Sequence, residues 1–133
     1  MGFRDADEVR KYIGGIFEAA FADAEIGPKL RDTAMVLQFA FTEPDTVVEV
    51  DTTAGTVGDG TGGAPPQAVM RMAADVGNAY WQGKVNLPLA MAKSRIKVEG
   101  NVASLLKLAP LGKKLFPLYV ESLRGDGRDD LVL

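Results

Sequence analysis

Apolar residues near the start of the chain recur every three to four positions, which is the period of an amphipathic helix. The pattern spans residues 5–24, and Asp5 followed by Glu8 resembles an N-terminal capping box. Gly14 and Gly15 interrupt it, each at a cost of about 1 kcal/mol relative to alanine. The sequence predicts one long helix that ends before Gly27, with a core face of Val9, Ile13, Ile16, Phe17, Ala20, Phe21 and Ala24.

The pattern then changes to alternation, which is typical of strands with one buried face. Residues 34–41 place Met35, Leu37, Phe39 and Phe41 on one side. Short turns follow at residues 43–45 and 54–55, so the first strands should form hairpins. The alternating segments cover residues 34–41, 46–53, 56–57, 68–72 and 95–99.

Helical segments alternate with the later strands. The first covers residues 74–82 and is closed by Gly83. Asn86 and Asn101 should each cap the start of a helix, the first running to Lys93 and the second stopping at Pro110. Residues 111–124 form the last helix, which Pro117 should kink or split. The order of elements predicts an α+β domain, with a five-stranded, mostly antiparallel sheet and helices mainly on one face.

Length and composition suit a single globular domain. With 133 residues and 47% hydrophobic residues, the chain can bury one core. We assign residues 1–124 to this domain and residues 125–133, which are polar and contain glycine, to a flexible tail.

Residue usage excludes several kinds of chemistry. The chain has no cysteine and no histidine, which excludes zinc sites with those ligands, thiolate chemistry and Ser-His or Cys-His nucleophile pairs. Carboxylates, tyrosines and lysines remain, but no spacing between them in the sequence indicates a catalytic acid paired with a base. We therefore expect no enzyme activity, no cofactor and no metal. The net charge of −3 argues against a nucleic-acid partner. The start of the chain lacks the apolar core of a signal peptide, so we expect a cytoplasmic location.

One glycine-rich segment matches a nucleotide-binding pattern by spacing alone. Residues 58–63 contain G-x-G-x-x-G. That motif needs a preceding βαβ strand and a following helix that meets the pyrophosphate. Here two prolines and an alternating segment follow, so we interpret the segment as a loop between strands.

Residues 81–119 carry more apolar side chains on their helices than one sheet face needs. For any single leucine or methionine, core packing is the simplest interpretation. Faces this wide bury against a second layer, line a pocket or form a dimer interface. The side chains that lie off the narrow inward stripe are Leu108, Phe116, Leu118 and Val120.

Within this stretch, the chain resembles the sterol carrier protein type two family. The matching segments are Gly83-Lys84-Val85-Asn86, Ala90, Arg95-Ile96-Lys97-Val98-Glu99-Gly100-Asn101 and Leu105-Leu106-Lys107-Leu108. The resemblance implies an apolar tunnel that binds and carries sterols, fatty acids or fatty acyl thioesters without catalysis. The candidate ligand-binding residues are Met35, Leu37, Phe39, Met70, Met72, Trp81, Leu87, Met91, Leu105, Leu106, Leu108, Leu115, Phe116 and Tyr119.

Two alternatives stay open from the residues. The apolar C-terminal helices could serve a homodimer or an enzyme partner instead of a ligand. The same third of the chain is basic, which favours a solvated face but also permits transient contact with anionic lipid headgroups or coenzyme A phosphates. These cations are Lys84, Lys93, Arg95, Lys97, Lys107, Lys113 and Lys114.

Overall fold

The computed structural model describes residues 2–61 and 65–133. Its sheet has five strands in the order β3-β2-β1-β4-β5. β1 pairs parallel with β4, and every other neighbouring pair is antiparallel. The predicted five-stranded, mostly antiparallel sheet is therefore confirmed. The strands are β1 Val36–Thr42, β2 Thr46–Asp51, β3 Thr56–Gly58, β4 Ala68–Ala73 and β5 Ile96–Gly100.

The helices lie on the apolar face of this sheet. That face buries alternate residues of β1, whereas the opposite face carries polar pairs such as Gln38 with Glu49 and Arg71 with Glu99. Alternation of side chains along a strand separates the two faces. The helices are α1 Ala6–Val9, α2 Gly15–Ala22, α3 Ile26–Arg31, α4 Ala74–Trp81, α5 Leu87–Ala92, α6 Val102–Lys113 and α7 Phe116–Gly125.

The predicted first helix forms, but its boundaries differ. Asp5 caps it by accepting from the Glu8 amide at 3.0 Å. A π-helical segment, Arg10–Gly14, joins α1 to α2. The helix ends at Ala22 because the Asp23 carboxylate accepts from the next backbone amides, including that of Ile26 at 2.9 Å, which starts α3. Ala24 is therefore exposed and does not belong to the core.

In the later helices, both predicted asparagine caps are confirmed, whereas the predicted helix end at Pro110 is wrong. Asn86 accepts from the Leu89 amide at 3.1 Å, and Asn101 accepts from the Ser104 amide at 3.0 Å. Pro110 was expected to end a helix but lies inside α6. It sits on the solvent side, where water can reach the backbone carbonyl that a proline leaves without its usual amide partner. Pro117 lies in the first turn of α7, so the predicted split occurs just before it.

Residues 125–133 lie against the body of the protein. Residues Asp129–Leu131 form a 3-10 turn, and Leu131 is 1% exposed. The Leu131 carbonyl accepts from Asn78 at 2.9 Å and Gln82 at 2.8 Å, and Arg128 pairs with Glu8. This arrangement differs from the flexible tail that composition indicated, because a few individual residues, among them the buried Arg128 and Leu131, attach the segment to earlier elements.

Part of the glycine-rich segment at 58–63 lies outside the described residues, since residues 62 and 63 are not described. Its first residue, Gly58, ends β3, which is an edge strand of the sheet.

Candidate functional site

An apolar cavity lies between the sheet and the helices. Its volume is about 30 Å³, which leaves room for a few water molecules at most. The Tyr80 hydroxyl and the Trp81 indole nitrogen are the only polar side-chain groups among the residues that line it. The inner cavity is lined by Phe17, Ile26, Leu30, Phe39, Met70, Tyr80, Trp81, Leu87, Leu105, Leu108, Ala109, Leu111, Gly112 and Leu115.

One wall of the inner cavity is a cluster of aromatic rings around Trp81. The Trp81 ring meets Phe17 edge-on, with centroids 5.2 Å apart, and Phe116 edge-on at 6.2 Å. Phe17 in turn contacts Phe39 of β1 at 5.3 Å. Edge-to-face pairs of this kind add to the stability gained from burial alone. The cluster therefore links α2, α4, the sheet and the start of α7 into a firm wall.

Another wall is α6, most of whose residues are exposed or half-buried. Leu105, Leu108 and Gly112 follow one another at helical spacing and line the inner cavity. Leu105 and Gly112 are the buried residues of α6, and a Cβ on Gly112 would lie 3.8 Å from the Trp81 ring. Leu106, on the outer side, is 48% exposed. Helix α6 thus covers the inner cavity as a cap with an apolar outer face.

An outer groove runs along the surface beside this cap, with a volume of about 460 Å³. It shares Tyr80, Leu87 and Ala109 with the inner cavity, so these side chains lie between the two spaces. The volume is within the range of small-molecule sites, about 300–1,000 Å³. The outer groove is lined by Tyr80, Gly83, Val85, Asn86, Leu87, Pro88, Leu106, Ala109, Lys113 and Phe116.

Two polar groups stand where the spaces meet. Burial raises the pKa of the Tyr80 hydroxyl above its ordinary value, so the group remains a neutral donor at physiological pH. Lys113 contributes a charge to the outer groove. The junction can therefore offer one hydroxyl and one ammonium to a ligand whose remaining surface is apolar.

The structure brings together half of the candidate ligand-binding residues. Seven line the inner cavity: Phe39, Met70, Trp81, Leu87, Leu105, Leu108 and Leu115. Leu106 and Phe116 line the outer groove instead. As contacts of a ligand, all nine stay predictions.

The other five candidates line neither space. They are Met35, Leu37, Met72, Met91 and Tyr119. Tyr119 faces α4, where its hydroxyl donates to Asn78 Oδ1 at 2.7 Å. The Met35 amide donates to the Thr52 hydroxyl at 2.8 Å, at the opposite end of β1 from Phe41. Strand alternation identifies the buried face of a sheet but not which part of that face borders a cavity.

Sequence reasoning missed the contribution of α2 and α3 to the cavity. Phe17 was predicted to face the core, and Tyr80 was not among the candidate ligand-binding residues. Their role depends on how helices distant in the chain pack together, which periodicity does not encode. The missed residues are Phe17, Ile26, Leu30, Tyr80, Ala109, Leu111 and Gly112.

Within residues 2–61 and 65–133, every helix is too short or too polar to cross a bilayer.

Comparison with known families confirms the resemblance. The model of the SCP-2 sterol transfer family matches residues 16–113, a range that includes most of the inner cavity. No curated protein matches the chain.

Solved structures of low sequence identity share the fold. Sterol carrier protein domain 2 of Helicoverpa armigera is 22% identical, with a TM-score of 0.69 over 87% of this chain and 94% of that one. The apo form of Yarrowia lipolytica sterol carrier protein 2 is 15% identical, with a TM-score of 0.63 over 76% and 87% of the two chains. Aedes aegypti sterol carrier protein 2, in complex with the C16 fatty acid palmitate, is 21% identical, with a TM-score of 0.57 over 84% and 96%.

Proposed function

This chain belongs to the SCP-2 sterol transfer family, and we propose that it binds and carries an apolar lipid in the inner cavity without catalysing a reaction. The observation that carries the proposal is a cavity lined by apolar side chains between a firm aromatic wall and a lightly held cap. Buried apolar surface of this kind gains free energy by covering an apolar ligand.

Binding requires the cap to move, because a cavity of about 30 Å³ cannot hold a lipid. Displacement of α6 would join the inner cavity to the outer groove at Tyr80, Leu87 and Ala109, which line both. Small-molecule sites that open in this way bind through a minor conformation that the ligand stabilises. We propose that α6 opens as a lid and closes over the bound chain.

We propose a single acyl chain, in a fatty acid or fatty acyl thioester, ahead of a sterol. A flexible chain is narrow and fills a partly opened cavity one methylene at a time, whereas a rigid ring system needs the whole space at once. Burying about 400 Å² of apolar ligand gains roughly 10 kcal/mol before the loss of ligand freedom, which takes back at least about 4 kcal/mol. At most about 6 kcal/mol remains, which corresponds to a dissociation constant of tens of micromolar or weaker. The palmitate bound by the Aedes aegypti protein is consistent with this choice.

The head of such a ligand would lie at the junction of the two spaces. There the Tyr80 hydroxyl can donate a hydrogen bond and Lys113 can pair with a carboxylate. Charged hydrogen bonds fix orientation more than they add affinity at a partly exposed site.

The single tryptophan provides the test. Trp81 lines the inner cavity and is 5% exposed, and the chain has no other tryptophan. Its fluorescence should change saturably as palmitate is added to delipidated protein. Shorter saturated acids should bind more weakly by about fourfold for each methylene removed.

A parallel titration with cholesterol ranks the two ligand classes. Native mass spectrometry of freshly purified protein shows whether a lipid co-purifies with it from the cell. Affinity that does not depend on chain length, or no saturable signal up to the solubility limit, would contradict lipid carriage. A ligand-free dimer would favour a partner interface instead.

A further inference from the structure

The charges of this chain are separated along the sequence. Residues 76–120 contain seven lysines or arginines and a single acidic residue, Glu99, for a net charge of +6. The remaining residues contain eight basic and seventeen acidic side chains, for a net charge of −9. Glu99 is itself paired with Arg71, at 2.9 Å on the open face of the sheet. The basic segment is the one that builds α5, α6 and the outer groove.

Four of these cations lie on or next to α5 and α6. Lys113 lines the outer groove, while Lys84 and Lys107 are chain neighbours of Gly83 and Leu106, which also line it. Lys93 ends α5. All four lysines are exposed, and among the described residues none of them forms an ion pair.

Apolar side chains protrude among these charges. Leu89 on α5 is 51% exposed and Leu106 on α6 is 48% exposed, two of the four most exposed large apolar side chains in the described chain. Leu106, Ala109 and Lys113 follow at i, i+3 and i+7, so one face of α6 combines apolar surface with a charge. Exposed leucines ringed by unpaired lysines match the interface of an anionic bilayer, which has acyl chains beneath a layer of negative headgroups.

The N-terminal region, residues 4–22, lacks this combination. Its exposed face carries Asp7 and Glu18. Its cations Arg4, Arg10 and Lys11 all lie within 4 Å of carboxylates. A surface of this kind does not attract anionic headgroups.

We propose that the α5–α6 end of the molecule, marked by Leu89, Leu106 and the four exposed lysines on or next to these helices, is the surface with which the protein docks on an anionic membrane. This inference rests on the proposed function, since docking there would place the opening of the inner cavity against the lipid that is to enter it.

Vesicle sedimentation tests the docking surface. Wild-type protein is mixed with vesicles of phosphatidylcholine alone or with about 30 mol% phosphatidylserine. The Lys93→Glu/Lys107→Glu variant should bind the anionic vesicles at least about 25-fold more weakly, since each lysine near such a surface contributes about fivefold. The matched control is Arg10→Glu/Arg124→Glu, which changes net charge equally on exposed residues outside the basic segment.

We expect the wild type and the arginine control to bind the anionic vesicles only, and Leu89→Gln/Leu106→Gln to bind them weakly. Equal binding to both vesicle types, binding to neither, or unchanged binding by the lysine variant would overturn the proposal. Palmitate uptake from vesicle-free solution, followed by Trp81 fluorescence, is measured for every variant. Uptake by the lysine variant should match that of the wild type. If the wild type itself takes up no palmitate, the proposed function is overturned, independently of the docking surface.

Discussion

Helices α6 and α7 follow each other in the chain, each contains a proline and each presents leucines to the core, yet they are held in different ways. Helix α7 buries Tyr119 and Leu123 completely, and both are 0% exposed. Helix α6 buries Leu105 and Gly112 beside an underfilled cavity. Its C-terminal end is tied by a surface ion pair between Lys114 and Glu25 at 3.3 Å, which contributes little to stability.

A buried polar network accounts for much of the difference. Asn78 Oδ1 accepts from the Tyr119 hydroxyl at 2.7 Å and from Gln82 at 3.0 Å, and both α4 side chains donate to the Leu131 carbonyl. Burial also raises the pKa of Tyr119, so the hydroxyl stays a donor. A satisfied network in a low-dielectric interior is costly to break. The comparison teaches that this chain fastens α7 with directional bonds to buried side chains, whereas α6 buries only Leu105 and Gly112. This difference supports the proposal that α6 is the element that opens.

Matched leucine truncations should expose this difference most strongly. Leu123→Ala removes a fully buried side chain from α7, and we expect a loss of about 3–4 kcal/mol in the free energy of unfolding. Leu105→Ala makes the same change in α6, and we expect about 1 kcal/mol, because the cap can settle into or open from the space beneath it. Urea denaturation followed by circular dichroism measures both.

The two leucine variants are each other's control, since the chemical change is identical. Equal losses of stability would mean that α6 is packed as firmly as α7, which would contradict the proposal that α6 opens as a lid. Palmitate affinity should fall only for Leu105→Ala among molecules that remain folded.

The network itself can be weakened without altering shape. Tyr119→Phe removes one donor while Asn78 Oδ1 keeps its bond from Gln82, so the expected loss is about 1 kcal/mol of unfolding free energy. Tyr119 borders neither the inner cavity nor the outer groove, and palmitate affinity should stay within about twofold of the wild type. A clear drop in affinity would instead restore Tyr119 to the ligand contacts that the sequence predicted.

Blocking the junction should separate binding from stability. Ala109 lines both spaces, so Ala109→Phe would fill the junction, where we propose that the head of the bound ligand lies. We expect palmitate affinity to fall by at least about tenfold, which is about 1.4 kcal/mol. Stability should change by less than about 1 kcal/mol, because the added ring can occupy the outer groove. Trp81 fluorescence and urea denaturation report the two quantities on the same samples. Undiminished affinity would show that the bound lipid does not occupy the junction.

Much of this architecture could be predicted from local signals. Alternation and turns defined the strands, and the side chains of Asn86 and Asn101 marked two helix starts, because these signals act within a few residues. The parallel pairing of β1 with β4 was not visible, since it depends on which edge of the sheet a distant strand meets. The prediction at Pro110 was wrong because the free-energy cost of a proline inside a helix depends on whether water can reach the carbonyl that loses its amide partner.

The site was harder to predict than the fold. Leu105 and Leu108 were found because they belong to a segment with family-like spacing. Phe17 and Ile26, by contrast, reach the cavity only through packing between elements far apart in the chain. The predicted tail is a related case, because buried Arg128 and Leu131 bond residues 125–133 to earlier elements. Composition averages over a segment and does not reveal individual anchoring residues.

The smallest expected effect comes from a residue that the sequence placed in the ligand-binding wall. Leu106 is 48% exposed in the outer groove, so Leu106→Asp should change the free energy of unfolding by less than about 1 kcal/mol, within the range of helix propensity. Uptake of palmitate from vesicle-free solution should be nearly unchanged. Two residues along, Leu108→Asp places a charge against the inner cavity, where no partner compensates it, and should abolish uptake. Because both changes add the same group to the same helix, Trp81 fluorescence of the two variants shows which face of α6 contacts the bound chain. Loss of uptake in Leu106→Asp as well would place the bound chain in the outer groove, and α6 would then be a platform for the ligand and not its lid.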